Sequence, residues 1–234
     1  MKAFLRFAAG LLLLPFVWAA TRSVLALILR VSDDYSLTSL PVLALCFGFV
    51  LWMVIYFLLS PSAKAYIWGH ELTHAFWGLL CGARVQNIRV AENGGSVQLS
   101  KSNLLITLSP YFFPFYTMLV LLIRLVCGWI WPGSVPEWVW LFLGGATWGF
   151  HCTFTVNSLL MHQPDMKEYG IVFSYAIVWL MNLFFVSAVL LLCSHGDAGR
   201  FAGDLLRNSA VAYSWVLVCI GKGSSWLIDR VHRL

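Results

Sequence analysis

The sequence predicts an all-α polytopic membrane protein with about six transmembrane helices and one small β-hairpin. Of its 234 residues, 60% are hydrophobic and 11% are charged, whereas a soluble domain has about 45–50% apolar and about 25% charged residues. Long apolar runs outnumber short alternating segments, which favours helices over a β-barrel. The formal net charge of +5 is spread thinly along the loops. This charge suits an anionic bilayer surface and gives no basic cluster for nucleic acid.

The cysteines indicate no disulfide framework. None belongs to a C-x-x-C pair, and most lie inside apolar runs, where cysteine behaves as a small buried hydrophobe. They are Cys46, Cys81, Cys127, Cys152, Cys193 and Cys219.

Two helices are predicted at the N-terminus. Residues 1–30 resemble a signal peptide, but apolar sequence resumes at 24–29, so a retained first membrane helix is favoured over cleavage. Residues 31–39 form a polar turn. Residues 40–59 predict a second span with Pro41 in its first turn.

Residues 60–82 predict a third helix. Ser60 suits the N-cap position and Pro61 the first helical position, and Gly82 suits the position just after the end of the helix.

The third helix carries the sequence H-E-x-x-H. His70 and His74 are separated by one turn, so both imidazoles leave the same helix face and can provide two ligands of a tetrahedral zinc site. Glu71 can act on a metal-bound water without joining the ligand set. Buried histidines paired with a glutamate are the alternative interpretation. Placing such polar groups on an apolar helical turn costs free energy, which favours a functional metal site over this alternative.

Residues 84–100 are polar and alternate in part, which predicts a short β-hairpin. Asn93, Gly94 and Gly95 lie between the two arms. An ordinary polar loop is the alternative. A strand edge beside a buried site can pair with an extended peptide, and proteolysis of a helix requires such unwinding.

The remaining chain predicts three further spans. Residues 104–126 form a fourth span interrupted by prolines, residues 138–161 a fifth and residues 171–193 a sixth. Residues 194–207 form a polar connector. Residues 211–220 are apolar but short, so they predict either a surface helix or a marginal seventh span.

A catalytic zinc site needs a third protein ligand and one open position. Asp165 is favoured because it ends an apolar span at a helix break, where a carboxylate gains most from meeting a cation. The alternative is that Asp165 caps the next helix. The other candidates are His151, His162, Glu168 and Glu92.

These motifs resemble the site-2 protease family of intramembrane zinc metalloproteases. In that family an H-E-x-x-H helix is followed by a glycine-containing hairpin and by an aspartate in a later helix, with Asn eight residues before it and Gly after it. Here Asn157 precedes Asp165 by eight residues, but Met166 replaces the glycine. The resemblance covers residues 62–182 and implies a compact, divergent member without an inserted PDZ domain.

The resemblance implies a zinc metalloendopeptidase of regulated intramembrane proteolysis. Zinc would be held by His70, His74 and Asp165, with Glu71 as the catalytic base. Substrate contacts are expected from Asn157, Gly94, Gly95, Ser96 and Val97. For Asn157 the alternative is an amide that packs helices together.

The resemblance also implies partners, a location and a division of the chain. The partners are a membrane-protein or peptide substrate and the bilayer, while an accessory membrane subunit is left open. The location is a prokaryotic cell (inner) membrane, crossed several times. Residues 1–59 would form two N-terminal helices, 60–194 the metalloprotease core, and 195–234 a C-terminal connector and helix.

Two other functions stay open on the sequence alone. One is a membrane metal-binding or zinc-sensing protein, which would need the ligands but not Glu71. The other is a transporter with an intramembrane ion site. The lack of an evident internal repeat argues against the transporter.

Overall fold

The computed structural model describes residues 2–34, 39–91, 94–161, 163–193 and 197–231. The predicted positions Glu92, Asn93 and His162 lie outside these ranges. The helices are α1 (Lys2–Asp34), α2 (Leu40–Leu59), α3 (Lys64–Leu80), α4 (Leu104–Leu108), α5 (Phe115–Ile130), α6 (Glu137–Leu160), α7 (Pro164–Glu168), α8 (Ile171–Cys193) and α9 (Ala198–Val231), and the strands are β1 (Val85–Ala91) and β2 (Gly94–Leu99).

The chain forms two compact units. The first combines residues 1–34 with 170–234 and contains α1, α8 and α9, and the second is residues 35–169. The predicted functional boundaries at residues 59 and 194 remain predictions.

In the first unit, α1 packs against both α8 and α9. Gly10 allows the close approach to α8, since a Cβ there would lie 2.7 Å from the backbone nitrogen of Phe173. On the other side, Asn208 of α9 donates a hydrogen bond of 2.9 Å to the Ser23 hydroxyl of α1. Small residues and polar pairs of this kind are typical of helix packing in membranes.

The C-terminal region differs from the prediction. Residues 198–207 of the predicted polar connector and the apolar stretch 211–220 belong to one helix of 34 residues that begins at Ala198. The Asp197 side chain accepts a hydrogen bond of 2.9 Å from the Arg200 amide. This contact satisfies an N-terminal donor of the helix, so the polar stretch is helical despite its charge.

In the second unit, α2 and α6 approach each other through glycines. A Cβ on Gly145 would lie 2.0 Å from the Leu45 carbonyl oxygen, and one on Gly48 would lie 2.1 Å from the Phe142 carbonyl oxygen. Side chains on both helices then tie them together, because the Trp52 indole donates a hydrogen bond of 3.0 Å to Thr153. Helix α6 of this pair contacts α3, since the Phe154 and Tyr66 rings stack with centroids 5.3 Å apart. Helix α3 carries two of the three predicted metal ligands.

Gly145→Ala is expected to lower the free energy of unfolding by about 1–3 kcal/mol, because the new methyl group must push α2 and α6 apart. Gly144→Ala is the matched control, since a Cβ there meets nothing within 4 Å. The control should be neutral or stabilising by about 0.5–1 kcal/mol, as alanine favours a helix over glycine. Thermal unfolding in mild detergent measures both, and equal midpoints for the two variants would contradict the close packing.

The start of α3 corrects one prediction. Ser60 does not cap α3; it closes α2 in a left-handed conformation with φ 44° and donates its backbone N–H to the Tyr56 carbonyl. The helix restarts at Lys64, whose amide is 3.2 Å from the Ser62 hydroxyl oxygen. At the other end the prediction is confirmed, because Gly82 follows the helix with φ +74°.

The described residues include three helices that are long and apolar enough to cross a membrane, so the predicted number of about six spans is not confirmed. They cover Ala3–Val31, Leu40–Leu59 and Ile171–Leu191. The helix pair Leu104–Tyr111 and Phe115–Ile130, bent by 84°, is either one broken span or a re-entrant loop. Helix α3 has 17 residues, or about 25 Å at 1.5 Å per residue. This length falls short of the roughly 30 Å hydrocarbon layer.

Apolar side chains cover the outside of these helices. Phe57, Leu58 and Leu59 at the end of α2 are 70–75% exposed, and Leu29 of α1 is 66% exposed. Lipid tails are the environment in which such surfaces are stable.

The predicted hairpin is confirmed as two antiparallel strands. Val90 pairs with Gly95 and Ile88 with Val97. The sheet lies on α3, where a Cβ added to Gly78 would lie 3.0 Å from the Leu99 methyl groups. The hairpin thus follows the helix that bears the H-E-x-x-H sequence.

Candidate metal centre

Helix α3 presents both histidines on its inner face. The His70 and His74 rings lie edge to face with centroids 4.9 Å apart. Both side chains are 11% exposed. The one-turn spacing in the sequence is sufficient to produce this pairing, because residues i and i+4 share a helix face.

Helix α7 brings Asp165 to the two histidines. The Asp165 Oδ2 atom lies 3.5 Å from His70 Nε2 and 3.5 Å from His74 Nε2. The ligand atoms of the three residues all lie within 4.8 Å of one another. Zinc bonds of about 2.0–2.1 Å at tetrahedral angles separate two ligand atoms by about 3.4 Å. The two distances from Asp165 Oδ2 match this separation, so two imidazoles and one carboxylate are a donor set that suits zinc.

The charge state of Asp165 also suits a cation. Asp165 lies outside the candidate spans, in the first turn of α7. Burial opposes its ionisation, but hydrogen bonding to His70 and His74 lowers the pKa of Asp165 below its ordinary value. The carboxylate is thus the form available near neutral pH.

The other nitrogen of His74 is fixed by the backbone. His74 Nδ1 lies 2.8 Å from the Ile106 carbonyl oxygen and donates to it in the tautomer that leaves Nε2 free for a metal. Asn103 caps α4 by accepting a hydrogen bond of 2.9 Å from the Ile106 amide. The short helix α4 therefore orients one of the candidate ligands.

The second histidine ring is held by aromatic packing. The His70 ring lies 5.2 Å from the Tyr111 ring and 5.8 Å from the Tyr66 ring, measured between centroids. Within the described residues, His70 Nδ1 is buried without a hydrogen-bond partner. His70 and His151 line the same small cavity. Among the described residues, His151 Nε2 is also buried without a hydrogen-bond partner.

Tyr111 is a site residue that sequence reasoning missed. Its side chain is fully buried, and its hydroxyl donates a hydrogen bond of 2.9 Å to Asp165 Oδ2. It ends the 3-10 turn Ser109–Tyr111, at the bend between Leu104–Tyr111 and Phe115–Ile130. The only sequence signal was a polar-tipped aromatic directly after the Ser-Pro break, and this signal does not indicate which way the ring points.

Tyr111→Phe is expected to weaken zinc binding by about 10–100-fold, the usual effect of removing a hydrogen bond to a metal ligand. The ring is retained, so the packing against His70 should survive. Tyr116→Phe is the matched control, because it removes a hydroxyl that donates to the Ala65 carbonyl rather than to a candidate ligand. Zinc affinity measured by competition with a chelator tests this; equal affinities of the two variants would contradict a role of Tyr111 at the site.

The hairpin packs directly against Glu71. Glu71 is 6% exposed, and a Cβ added to Gly95 would lie 2.6 Å from Glu71 Cγ and 2.7 Å from Glu71 Oε1. The neighbouring Gly94 meets nothing within 4 Å. Because Gly95 has no side chain, β2 leaves space for the Glu71 carboxylate.

Gly95→Ala is expected to displace the Glu71 carboxylate. For the peptide hydrolysis that the motifs predict, kcat should then fall by up to about 100-fold, the cost of a misplacement near 1 Å. Zinc content should stay at the wild-type value, because the three atoms nearest to the new methyl group belong to Glu71 and Ile67, which are not candidate ligands. Gly94→Ala is the control, and it should retain wild-type kcat. Unaltered kcat in Gly95→Ala would show that Glu71 tolerates the shift.

Among the described His, Cys, Asp and Glu residues, none of the other candidates joins the three-residue group. Asn157 is half-buried in the last turn of α6. His151 is buried on α6, with Nδ1 3.5 Å from the Thr155 hydroxyl, and Glu168 lies 3.5 Å from the Thr107 hydroxyl. Ser96 and Val97 lie on β2 beyond Gly95.

Comparison with known families gives one match. Residues 41–143 match the Peptidase M50B-like family, and this range contains both histidines, Glu71 and the hairpin. The match confirms the resemblance to the site-2 protease family that the motifs predicted. It ends before Asp165, so the structure identifies that carboxylate independently of the match. No curated protein and no solved structure matches the chain.

The family match and the apolar helices together indicate an integral membrane protein of the metalloprotease type. The His70, His74 and Asp165 group is the part of the described chain that could hold its metal ion.

Proposed function

Because the Peptidase M50B-like match over residues 41–143 supports a member of the site-2 protease family, we propose that this protein is an intramembrane zinc metalloendopeptidase. It hydrolyses peptide bonds of membrane-embedded substrates. The observation that carries the proposal is the approach of Asp165 Oδ2 to within 3.5 Å of both histidine Nε2 atoms, with Glu71 next to the first histidine.

His70, His74 and Asp165 would hold the zinc ion, and Tyr111 holds the Asp165 carboxylate in place. Zinc bound there would supply a Lewis acid that lowers the pKa of water toward about 7. Glu71 then removes a proton from the attacking water and passes a proton to the nitrogen of the leaving amine. The scissile C–N bond breaks, and the two products are a carboxylic acid and an amine.

The hairpin is the proposed guide for the substrate. Among the described residues, β1 and β2 pair only with each other, so an outer edge can accept an extended peptide by strand addition. Gly95 places β2 against Glu71, and Gly94, Ser96 and Val97 continue the same strand. Backbone pairing here would hold an unwound segment beside the proton acceptor.

Asn157 is the proposed polar contact of the substrate from α6. Its amide can hydrogen-bond a carbonyl oxygen on which negative charge develops. We further place the protein in a prokaryotic cell (inner) membrane, where it would carry out regulated intramembrane proteolysis, with an accessory membrane subunit as a partner.

The test uses the full chain in proteoliposomes with a synthetic transmembrane peptide that contains a helix-breaking segment. Cleavage should disappear when the protein is stripped of metal with a chelator and should return when zinc is added back. Zinc content, measured in parallel, should approach one ion per chain. Cleavage that persists in the metal-free protein would overturn the proposal, and so would a fully zinc-loaded protein that leaves such peptides intact.

A further inference from the structure

A second polar feature lies in the first unit, in the part of the chain that the Peptidase M50B-like match does not cover. A cavity of about 600 Å³ opens between α1 and α9. This volume falls in the range of about 300–1,000 Å³ that is usual for ligand sites. Its polar lining residues are Arg22, Arg30, Arg200, Arg207, Asp204 and Asn208.

The cavity carries a surplus of positive charge. Among the described lining residues Asp204 is the one carboxylate, and it pairs with Arg30 at 2.5 Å and with Arg207 at 2.8 Å. The hydrogen bond from Arg30 lowers the pKa of Asp204, so this carboxylate stays ionised at neutral pH. The side chains described at the cavity thus comprise four guanidinium groups and one carboxylate, an excess of three positive charges.

The guanidinium groups are also short of acceptors. Within the described chain, Arg30 Nη2 is buried without a hydrogen-bond partner, and a buried donor left without an acceptor is costly. Arg22 lies over the Trp18 ring at 5.2 Å, which orients its guanidinium without using an acceptor. Asp197, the acidic side chain near Arg200, accepts a hydrogen bond from the Arg200 backbone amide.

The cavity lies at one end of a candidate membrane span. The span Ala3–Val31 belongs to α1, and Arg22 and Arg30 lie in its C-terminal third. Arginines near the end of a span reach the headgroup layer. The acceptors found at that depth are phosphate oxygens of lipids, which guanidinium groups bind through paired N–H donors.

We propose that this cavity is a binding site for the phosphate of an anionic phospholipid headgroup. Basic pockets beside membrane helices bind such headgroups. The phosphate would accept hydrogen bonds from Arg30 Nη2 and from the Arg22 and Arg200 guanidinium groups. Asp204 holds the Arg30 and Arg207 side chains in place at the edge of the cavity through its two ion pairs. The site is separate from the proposed metal centre and does not depend on the proposed protease activity.

The experiment compares the wild-type full chain with the double variant Arg22→Gln/Arg200→Gln. This variant removes two surplus charges but leaves both ion pairs of Asp204 intact, so folding should be preserved. The charge-matched control is Arg84→Gln/Arg124→Gln, which removes two arginines of the second unit. Each protein, in a neutral detergent, is titrated with short-chain phosphatidylglycerol, short-chain phosphatidylcholine and inorganic phosphate. Native mass spectrometry and thermal stabilisation report binding.

Phosphatidylglycerol should bind the wild-type and control proteins more tightly than phosphatidylcholine does, and the double variant should lose about tenfold or more in affinity. A third outcome is that inorganic phosphate binds as tightly as phosphatidylglycerol and loses the same affinity in the double variant. That result would confirm the phosphate site and identify free phosphate, not a lipid headgroup, as its ligand. Equal phosphatidylglycerol affinity in the wild type and the double variant would overturn the proposal. Equal binding of the two lipids would also overturn it.

Discussion

Glu71→Gln is expected to lower kcat for peptide hydrolysis by about 10²–10⁴-fold, the usual contribution of a positioned general base. The amide has nearly the shape of the carboxylate, so the packing of Gly95 against residue 71 should be preserved. An amide does not accept the proton of the attacking water, so the chemical step fails. Zinc content should stay unchanged, because Glu71 is not among the three candidate ligands. Cleavage in proteoliposomes and metal analysis of the same preparation measure the two quantities.

Glu137→Gln is the matched control for this substitution. Glu137 is exposed and pairs with Arg124 at 2.9 Å, away from the candidate ligands, so its loss should leave kcat at the wild-type value. If the Glu71→Gln protein cleaves the peptide at the wild-type rate, Glu71 is not the catalytic base. A Glu71→Gln protein that loses its zinc would instead place Glu71 among the metal ligands.

Asp165→Asn is expected to weaken zinc binding by more than about 100-fold, because direct ligation contributes more than the hydrogen bonds around it. The asparagine oxygen can still accept the Tyr111 hydroxyl hydrogen, so the local fold is preserved while the negative charge is lost. Competition with a chelator at fixed pH measures the affinity, since zinc binding is coupled to proton release. Peptide cleavage should fall in parallel at limiting zinc and recover in part at high zinc.

Glu168→Gln is the control for Asp165→Asn, because both residues lie on the five-residue helix α7. It should retain wild-type zinc affinity. Zinc affinity that is equally unaffected in Asp165→Asn and Asp165→Ala would exclude Asp165 from the site. A structure of the zinc-bound protein would then have to identify another third ligand.

Regular elements with strong periodic signals were predictable within a few residues. The second helix, the hairpin and the sixth predicted helix lie where hydrophobicity and turn residues placed them. The start of α3 was not predictable, because Ser60 and Pro61 fit the beginning of a helix as well as they fit the end of the preceding one. The sequence contains both signals, and only the packing of α2 decides which one applies.

The number of membrane crossings was harder to predict. Residues 104–126 have the composition of one span, but the chain bends by 84° within them. The prolines showed that a break was available. They did not show that the break would place Tyr111 beside Asp165, because that contact joins residues 54 positions apart.

The sequence by itself determined the membrane character of the protein, the helix with its pair of histidines, and the hairpin that follows. These properties depend on composition and on neighbours within a few residues, so local physical chemistry is sufficient to specify them. Only the tertiary structure decided how Asp165 meets both Nε2 atoms, how Tyr111 holds it, and how Gly95 makes room for Glu71. It also decided that four arginines of α1 and α9 share one cavity. Each of these contacts joins distant parts of the chain, and only packing determines which side chains meet.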